Sequence, residues 1–211
     1  MVILQSSYSG FLAIETRRRS WQVAPMAVAL EKTEDSAPIP RRSYIGFAFV
    51  LPAILVALDQ LSKWATTRFF DLPMSACATG DPRLTYEVSP IADLSLLCNR
   101  GISWGLLQGD SSLKRWVLSA IAFIMVGAML YVLRRTHDRL GQFSLSLVIA
   151  GAIGNVIDRL LFGAVTDMID FSDIGFNYVF NVADSYITVG VIGMFVSSFL
   201  TDRAAKRAAK N

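Results

Sequence analysis

Between Val165 and Ser185 the chain reads VTDMIDFSDIGFNYVFNVADS, which carries Asp167, Asp170, Asp173 and Asp184 and no lysine or arginine. Two carboxylates that share a site cannot both ionise easily, so one is pushed upward and the pair holds one proton. Such a pair suits peptide hydrolysis. One carboxylate takes a proton from water while the other donates to the scissile carbonyl and then to the leaving amine. A cation inside the segment would help both acids ionise and spoil the shared proton, so its absence is consistent with this chemistry. The plainer reading is that four aspartates keep a short loop soluble. Spacing alone leaves both readings standing.

Further ionisable residues lie in apolar surroundings, where each is costly and hence a functional candidate. Asp59 and Lys63 stand four apart, on one helical face. They are either an interfacial ion pair with a snorkelling lysine or neighbours of an active site. Asn155, Asp158 and Arg159 have i, i+3 and i, i+4 spacings and are either a structural network or substrate-facing groups. Asn181 precedes Asp184 by about one turn, at a helix start where a carboxylate is favoured. Two cysteines, Cys77 and Cys98, and the single His137 exclude a Cys/His zinc site of standard spacing and leave little for a histidine-dependent triad. No metal and no cofactor are expected.

The elements that must position these groups are membrane spans. The 211 residues are 53% hydrophobic and 18% charged, against roughly 25% charged in soluble domains. Four apolar runs, Tyr44–Trp64, Trp116–Leu133, Phe143–Gly163 and Ala183–Leu200, are each long enough to cross about 30 Å of hydrocarbon. The first is too long and too far from Met1 for a cleaved signal peptide, and ends in DQLSK rather than a small-residue cleavage site. The fold class expected is therefore an all-α integral membrane protein of four transmembrane helices, over 43–64, 116–134, 143–163 and 183–200.

Arg41/Arg42, Arg134/Arg135/Arg139 and Arg203/Lys206/Arg207/Lys210 all fall on one side of such a chain. The positive-inside rule makes that side, and both termini, cytoplasmic. The basic residues are thus topology signals behind the +3 charge, and no nucleic-acid partner is expected. Residues 1–42 read as a mobile cytoplasmic extension, 135–142 as a cytoplasmic loop and 201–211 as a basic cytoplasmic tail. The outer segment 65–115 has breaks at DLP and TGDPR and short runs RLTYEV and DLSLLCN, which predict a small extracytoplasmic β-type cap. Cys77 and Cys98 both fall there, so a disulfide between them is possible, but with no surrounding framework of cysteines it is not the favoured state. The outer segment 164–182 reads as a periplasmic loop. Because that link is short, the outer ends of the third and fourth spans are close, and Asp167 and Asp184 can meet.

In order along the chain stand DQLSK (59–63), NRGISWGLL (99–107), GAIGNVIDRLLFGAVTDMIDF (151–171) and FNVADSYITVG (180–190). This ordered set resembles the bacterial lipoprotein signal peptidase (type II signal peptidase) family, four-span aspartic endopeptidases of the inner membrane, over essentially all of 44–200. The resemblance implies that Asp167 (in GAVTD) and Asp184 (in NVAD) are the catalytic pair. It implies supporting roles for Asp59, Lys63, Asn99, Gly101, Gly151, Asn155, Asp158, Arg159 and Asn181. It also implies a diacylglyceryl-modified prolipoprotein as substrate, cut just before the lipidated cysteine. The lipid would stay in the bilayer, the site would face the periplasm, globomycin-type peptides would compete, and the protein would be a monomer. Asp170 and Asp173 match no catalytic position. Ile102–Trp104 depart from the smaller residues and phenylalanine of many relatives, and 1–42 has no counterpart. A transporter or proton relay is the runner-up, and a non-catalytic assembly factor the third reading. Against a relay, the ionisable residues gather at one face rather than mid-span, and four spans show no repeat pair.

Overall fold

The computed structural model describes residues 44–101 and 111–210. The expected extension over 1–42, and Trp104 with its neighbours, lie outside the described residues. Among the described residues, four helices are long and apolar enough to cross a bilayer. These are α1 (Gly46–Phe69), α3 (Ser111–Leu133), α4 (Arg139–Phe162) and α5 (Val182–Ala208). A four-residue helix α2 (Ala76–Thr79) follows α1. The helices run past the apolar sequence runs at several ends, α1 by five residues beyond Trp64 and α5 into the basic tail.

The start of α1 shows how sequence sets local structure. Gly46–Val50 is wound as a π-turn, in which the Leu51 N–H reaches back to the Gly46 carbonyl. The next donor in that register would be residue 52, but it is Pro52 and has no N–H. The orphaned Phe47 carbonyl instead accepts the Ser146 Oγ hydroxyl from α4 at 2.6 Å. A buried serine thus ties α1 to α4 where the backbone ladder fails.

Among these spans α4 is the buried one: most of its residues are inside, while α1, α3 and α5 keep broad apolar faces outward. Its small residues allow this, since helices in lipid associate by close packing rather than by hydrophobic drive. A Cβ on Gly151 would run into the Ala183 carbonyl at the start of α5, and one on Gly190 of α5 would come within 2.7 Å of the Ser144 carbonyl. Capping fixes both ends of α4. The Asp138 carboxylate accepts from Gly141 N, and Gly163 closes the helix at φ 76°.

Beyond one end of the bundle lies a four-stranded antiparallel sheet, order β1-β2-β3-β4, formed by Arg83–Tyr86, Asp93–Asn99, Val165–Phe171 and Phe176–Phe180. Two of its strands come from 164–182, which the sequence presents as a loop. Those residues form a hairpin because Val165, Phe176, Tyr178 and Phe180 suit strands, and because β3 pairs the otherwise open edge of β2. A register shift between Leu94 and Leu97 in the β2–β3 ladder sets Asn99 opposite Val165 and Leu97 opposite Asp167. Cys77 and Cys98 are joined by a disulfide that links α2 to the end of β2.

Candidate active site

Each of the two proposed acids owes its place to a strand or helix start. Asp167 is the third residue of β3 and fully buried. Asp184 is in the first turn of α5 and half-buried. There Asn181 and Asp184 form a capping box: Asn181 Oδ1 accepts the Asp184 N–H at 2.9 Å, and Asp184 Oδ2 accepts the Asn181 N–H at 3.4 Å. The Asn181 Nδ2 amide donates to Asp167 Oδ1 at 2.7 Å and to Asn155 Oδ1 at 3.2 Å. Asn155 Nδ2 in turn donates to Asp184 Oδ1 at 2.7 Å. Two amides therefore link the two carboxylates in one chain. From the other side, Asn99 Nδ2 at the end of β2 donates to Asp167 Oδ2 at 3.0 Å.

A second layer lies beneath, within the bundle. Lys63, Asp59 and Asp158 are fully buried, and the Lys63 ammonium lies 2.8 Å from Asp59 Oδ2 and 3.0 Å from Asp158 Oδ2. The open interfacial pair with a snorkelling lysine is thereby excluded. Each carboxylate also accepts a backbone amide. Asp59 Oδ1 accepts the Ala183 N–H at 2.9 Å, and Asp158 Oδ2 accepts the Thr166 N–H at 3.1 Å. Each held amide precedes one of the two acids by a single residue. Gly154 makes room for this, since a Cβ there would sit 2.6 Å from Asp59 Oδ2.

Burial pushes the Asp167 carboxyl up to about 7, and the charge of Asp184 adds to this. The donors Asn181 and Asn99 and the charge of Lys63 oppose the rise without cancelling it. The segment has no cation of its own, yet the site is not free of positive charge. Lys63 from α1 and Arg159 from α4 both come within electrostatic reach of Asp167. The idea that cations are kept away is thus corrected: they are supplied by the spans, where their distance and partners are fixed.

A cavity of about 680 Å³ opens over Asp167, with Asn99, Gly101, Leu118, Arg159 and Tyr178 in its walls. Gly101 turns the chain at φ 99° and donates its N–H to Asn99 Oδ1 at 2.9 Å, so it orients the Asn99 amide. Arg159 is held by the Asn155 carbonyl at 3.5 Å, and its buried Nε has no partner among the described residues. Asp170 is turned to sheet bonding, accepting from Ser95 Oγ and Ser172 N, and Asp173 is exposed. Gln60 was missed by the sequence reading. Its Nε2 donates to Asp158 Oδ1 at 2.8 Å and to the Gly154 carbonyl at 3.3 Å. The available signal was an amide inside an apolar span, next to Asp59.

The family described as Signal peptidase (SPase) II matches residues 51–200. The chain is 35% identical over 159 residues to the lipoprotein signal peptidase of Methylobacterium sp. (strain 4-46), which covers 75% of this chain and 92% of that one. To the lipoprotein signal peptidase of Burkholderia thailandensis it is 33% identical over 183 residues, covering 86% of this chain and all of that one. A solved bacterial membrane enzyme superposes with a TM-score of 0.60 at 31% identity, over 77% of this chain and 92% of its own. A second such structure gives 0.59 at 30% identity, over 72% and 92%. A family match that takes in all of α3 and α4 and most of α1 and α5, with the same fold in solved relatives, makes this chain a member of the signal peptidase II family, a multi-pass membrane protease.

Proposed function

We propose that the protein is an aspartic endopeptidase that removes the signal peptide from diacylglyceryl-modified prolipoproteins, cutting just before the lipidated cysteine. The observation that carries this is the amide-bridged pair of carboxylates, Asp167 and Asp184, of which Asp167 lines the cavity. Asp167, with its carboxyl raised to about 7, carries the proton near neutral pH. Asp184, half-buried and held by Asn155 Nδ2, is the base.

In the first step Asp184 takes a proton from water and the water oxygen bonds to the scissile carbonyl carbon. Asp167 protonates the carbonyl oxygen, giving a neutral gem-diol. In the second, Asp184 passes its proton to the cysteine nitrogen and the C–N bond breaks. One diol hydroxyl returns its proton to Asp167 as the new carboxyl forms. Protons and charge balance, and both acids end as they began. Asn99 and Asn181 hold Asp167, while the Arg159 side chain in the cavity wall binds the substrate backbone.

The distribution of Lys and Arg supports an orientation with both termini in the cytoplasm, which puts the sheet and the cavity at the periplasmic face of the bacterial inner membrane. The sheet then acts as a cap over the site, and the substrate's lipid stays in the bilayer between helices. Globomycin-type peptides compete for the cavity, and the enzyme acts as a monomer. The test is cleavage of a diacylglyceryl-modified precursor by purified protein. Asp167→Asn and Asp184→Asn each abolish processing while protein level and membrane insertion are kept. Normal cleavage by either variant would overturn the reading.

A further inference from the structure

The disulfide lies where a covalent tie is not needed to close the sheet. Cys98 already pairs with Thr166 in the β2–β3 ladder, and its bond to Cys77 adds a link to α2, with Cα atoms 5.5 Å apart. A helix of four residues has no stability of its own. Beyond Cys98 the chain is fastened at three successive points. Cys98 is bonded to Cys77, Asn99 donates to Asp167 Oδ2, and Arg100 Nη2 donates to the carbonyls of Cys77 at 3.0 Å and Gly80 at 2.8 Å. The sulfurs pack on Ala164, and Cys77 Sγ lies 3.8 Å from Thr166 Oγ1. Asn99 is the last residue of β2, paired with Val165 and held at its Oδ1 by the Gly101 N–H, so the covalent tie at Cys98 lies one residue from the end of the strand.

We propose that the Cys77–Cys98 disulfide is a positioning element of the active site. It sets the Asn99 carboxamide on Asp167 and the Arg100 guanidinium in the cavity wall, and so makes cleavage depend on the oxidised state of the pair. The inference rests on the peptidase reading. It fits an extracytoplasmic site, since disulfides persist in oxidising compartments. Reduction by a dithiol breaks the S–S bond to give two thiols, as the dithiol passes two electrons and two protons and closes to its own disulfide. The two sulfurs then separate to non-bonded distance inside a buried cluster, and α2 is released together with both acceptors of Arg100.

The predicted signature lies in Asp167. The groups that face it are Lys63 from α1, Asn99 from β2, Arg159 from α4, and Asn181 and Asp184 at the start of α5. Only Asn99 is attached to the disulfide. A donor to a carboxylate favours its charged form, so loosening Asn99 moves the titration of Asp167 upward.

The experiment uses full-length enzyme in micelles, with a diacylglyceryl-modified peptide as substrate. It compares wild type, dithiol-reduced wild type, Cys77→Ser/Cys98→Ser, Asn99→Ala and the triple variant. The carboxyl band of Asp167, defined as the one lost in Asp167→Asn, is titrated by infrared spectroscopy without substrate. Expected are a kcat lower by about ten- to a hundredfold, a smaller change in KM, and an upward shift of both the alkaline limb and the band. Asn99→Ala reproduces these effects, and the serine pair adds little to it. Unchanged kcat and an unshifted band in reduced enzyme, or full additivity in the triple variant, would overturn the proposal. If the serine variant fails to fold, the reduced wild type decides. If wild type cuts no lipidated substrate, the peptidase reading fails and the band titration still judges the positioning role.

Discussion

The Asp59 carboxylate of α1 accepts the backbone N–H of Ala183 at 2.9 Å, so a buried charge on one spanning helix fixes the first turn of another. Asp158 does the same for Thr166 at the start of β3, and Lys63 binds the two carboxylates together. Asp167 and Asp184, which lie on different elements, are thus referred to one common cation.

Lys63→Met removes that cation and leaves two carboxylates buried without a countercharge. Breaking a buried pair from one side costs about 3–5 kcal/mol. Unfolding in mixed micelles shows a loss of this order, with cleavage reduced well beyond it at temperatures where the variant is still folded. Asp59→Asn/Lys63→Met/Asp158→Asn recovers part of the stability and little of the activity, because neutral amides accept the Ala183 and Thr166 N–H groups more weakly.

The raised carboxyl of Asp167 fixes the sign of two pH effects. Its folded value of about 7 lies above its unfolded value of 3.8, so the native state holds the extra proton between them. Stability from this group is therefore greatest below about 4 and is lost as pH rises through about 7. Thermal unfolding of Asp167→Asn gains on wild type between pH 5 and pH 8. Cleavage by wild type falls on the alkaline side of about 7, as the acid loses its proton.

Asn155→Ala deletes the amide that joins Asp184 to Asn181 and also faces Lys63 at 3.5 Å. Losing a buried polar partner costs about 1–3 kcal/mol. Steady-state kinetics show the fall mainly in kcat, since the residue orients the acids rather than holding distant parts of the substrate.

Two glycines make a contrasting pair. Gly151→Ala drives a methyl into the Ala183 carbonyl and pushes the start of α5 away, at a cost of about 1–3 kcal/mol and most of the activity. Gly127→Ala on α3 meets nothing within 4 Å and raises stability by up to about 1 kcal/mol through helix propensity. The same unfolding and cleavage assays separate them.

Four spans, the strands at 83–86 and 93–99, and the buried charges Asp59, Lys63 and Asp158 were legible because each has a local signal: an apolar run, an alternation, or an ionisable group in an apolar place. Asn99, Gly101 and Gly151 have no such signal and entered only through the family resemblance. The hairpin over 165–180 was not legible, because its strands become favourable only against β2, which is distant in the chain. Gln60 was passed over because an uncharged amide makes a weaker mark in a span than the aspartate beside it. The partners of Asp59 and Asp158 were hidden for another reason. They are backbone amides, which every residue has and no sequence distinguishes.

Where β2 lies beside β3, the Asn99 side chain donates to Asp167, 68 residues further along the chain, with α3 and α4 lying between them. A cut in the short link after Leu133 would divide the molecule into two helix pairs. One would hold Asp59, Lys63 and Asn99, the other Asp158, Asp167 and Asp184, and neither half would contain a whole site. On the proposed roles of Asp167 and Asp184, the site is therefore incomplete during synthesis until the last helix has been made and packed against the others, and activity follows insertion rather than accompanying it.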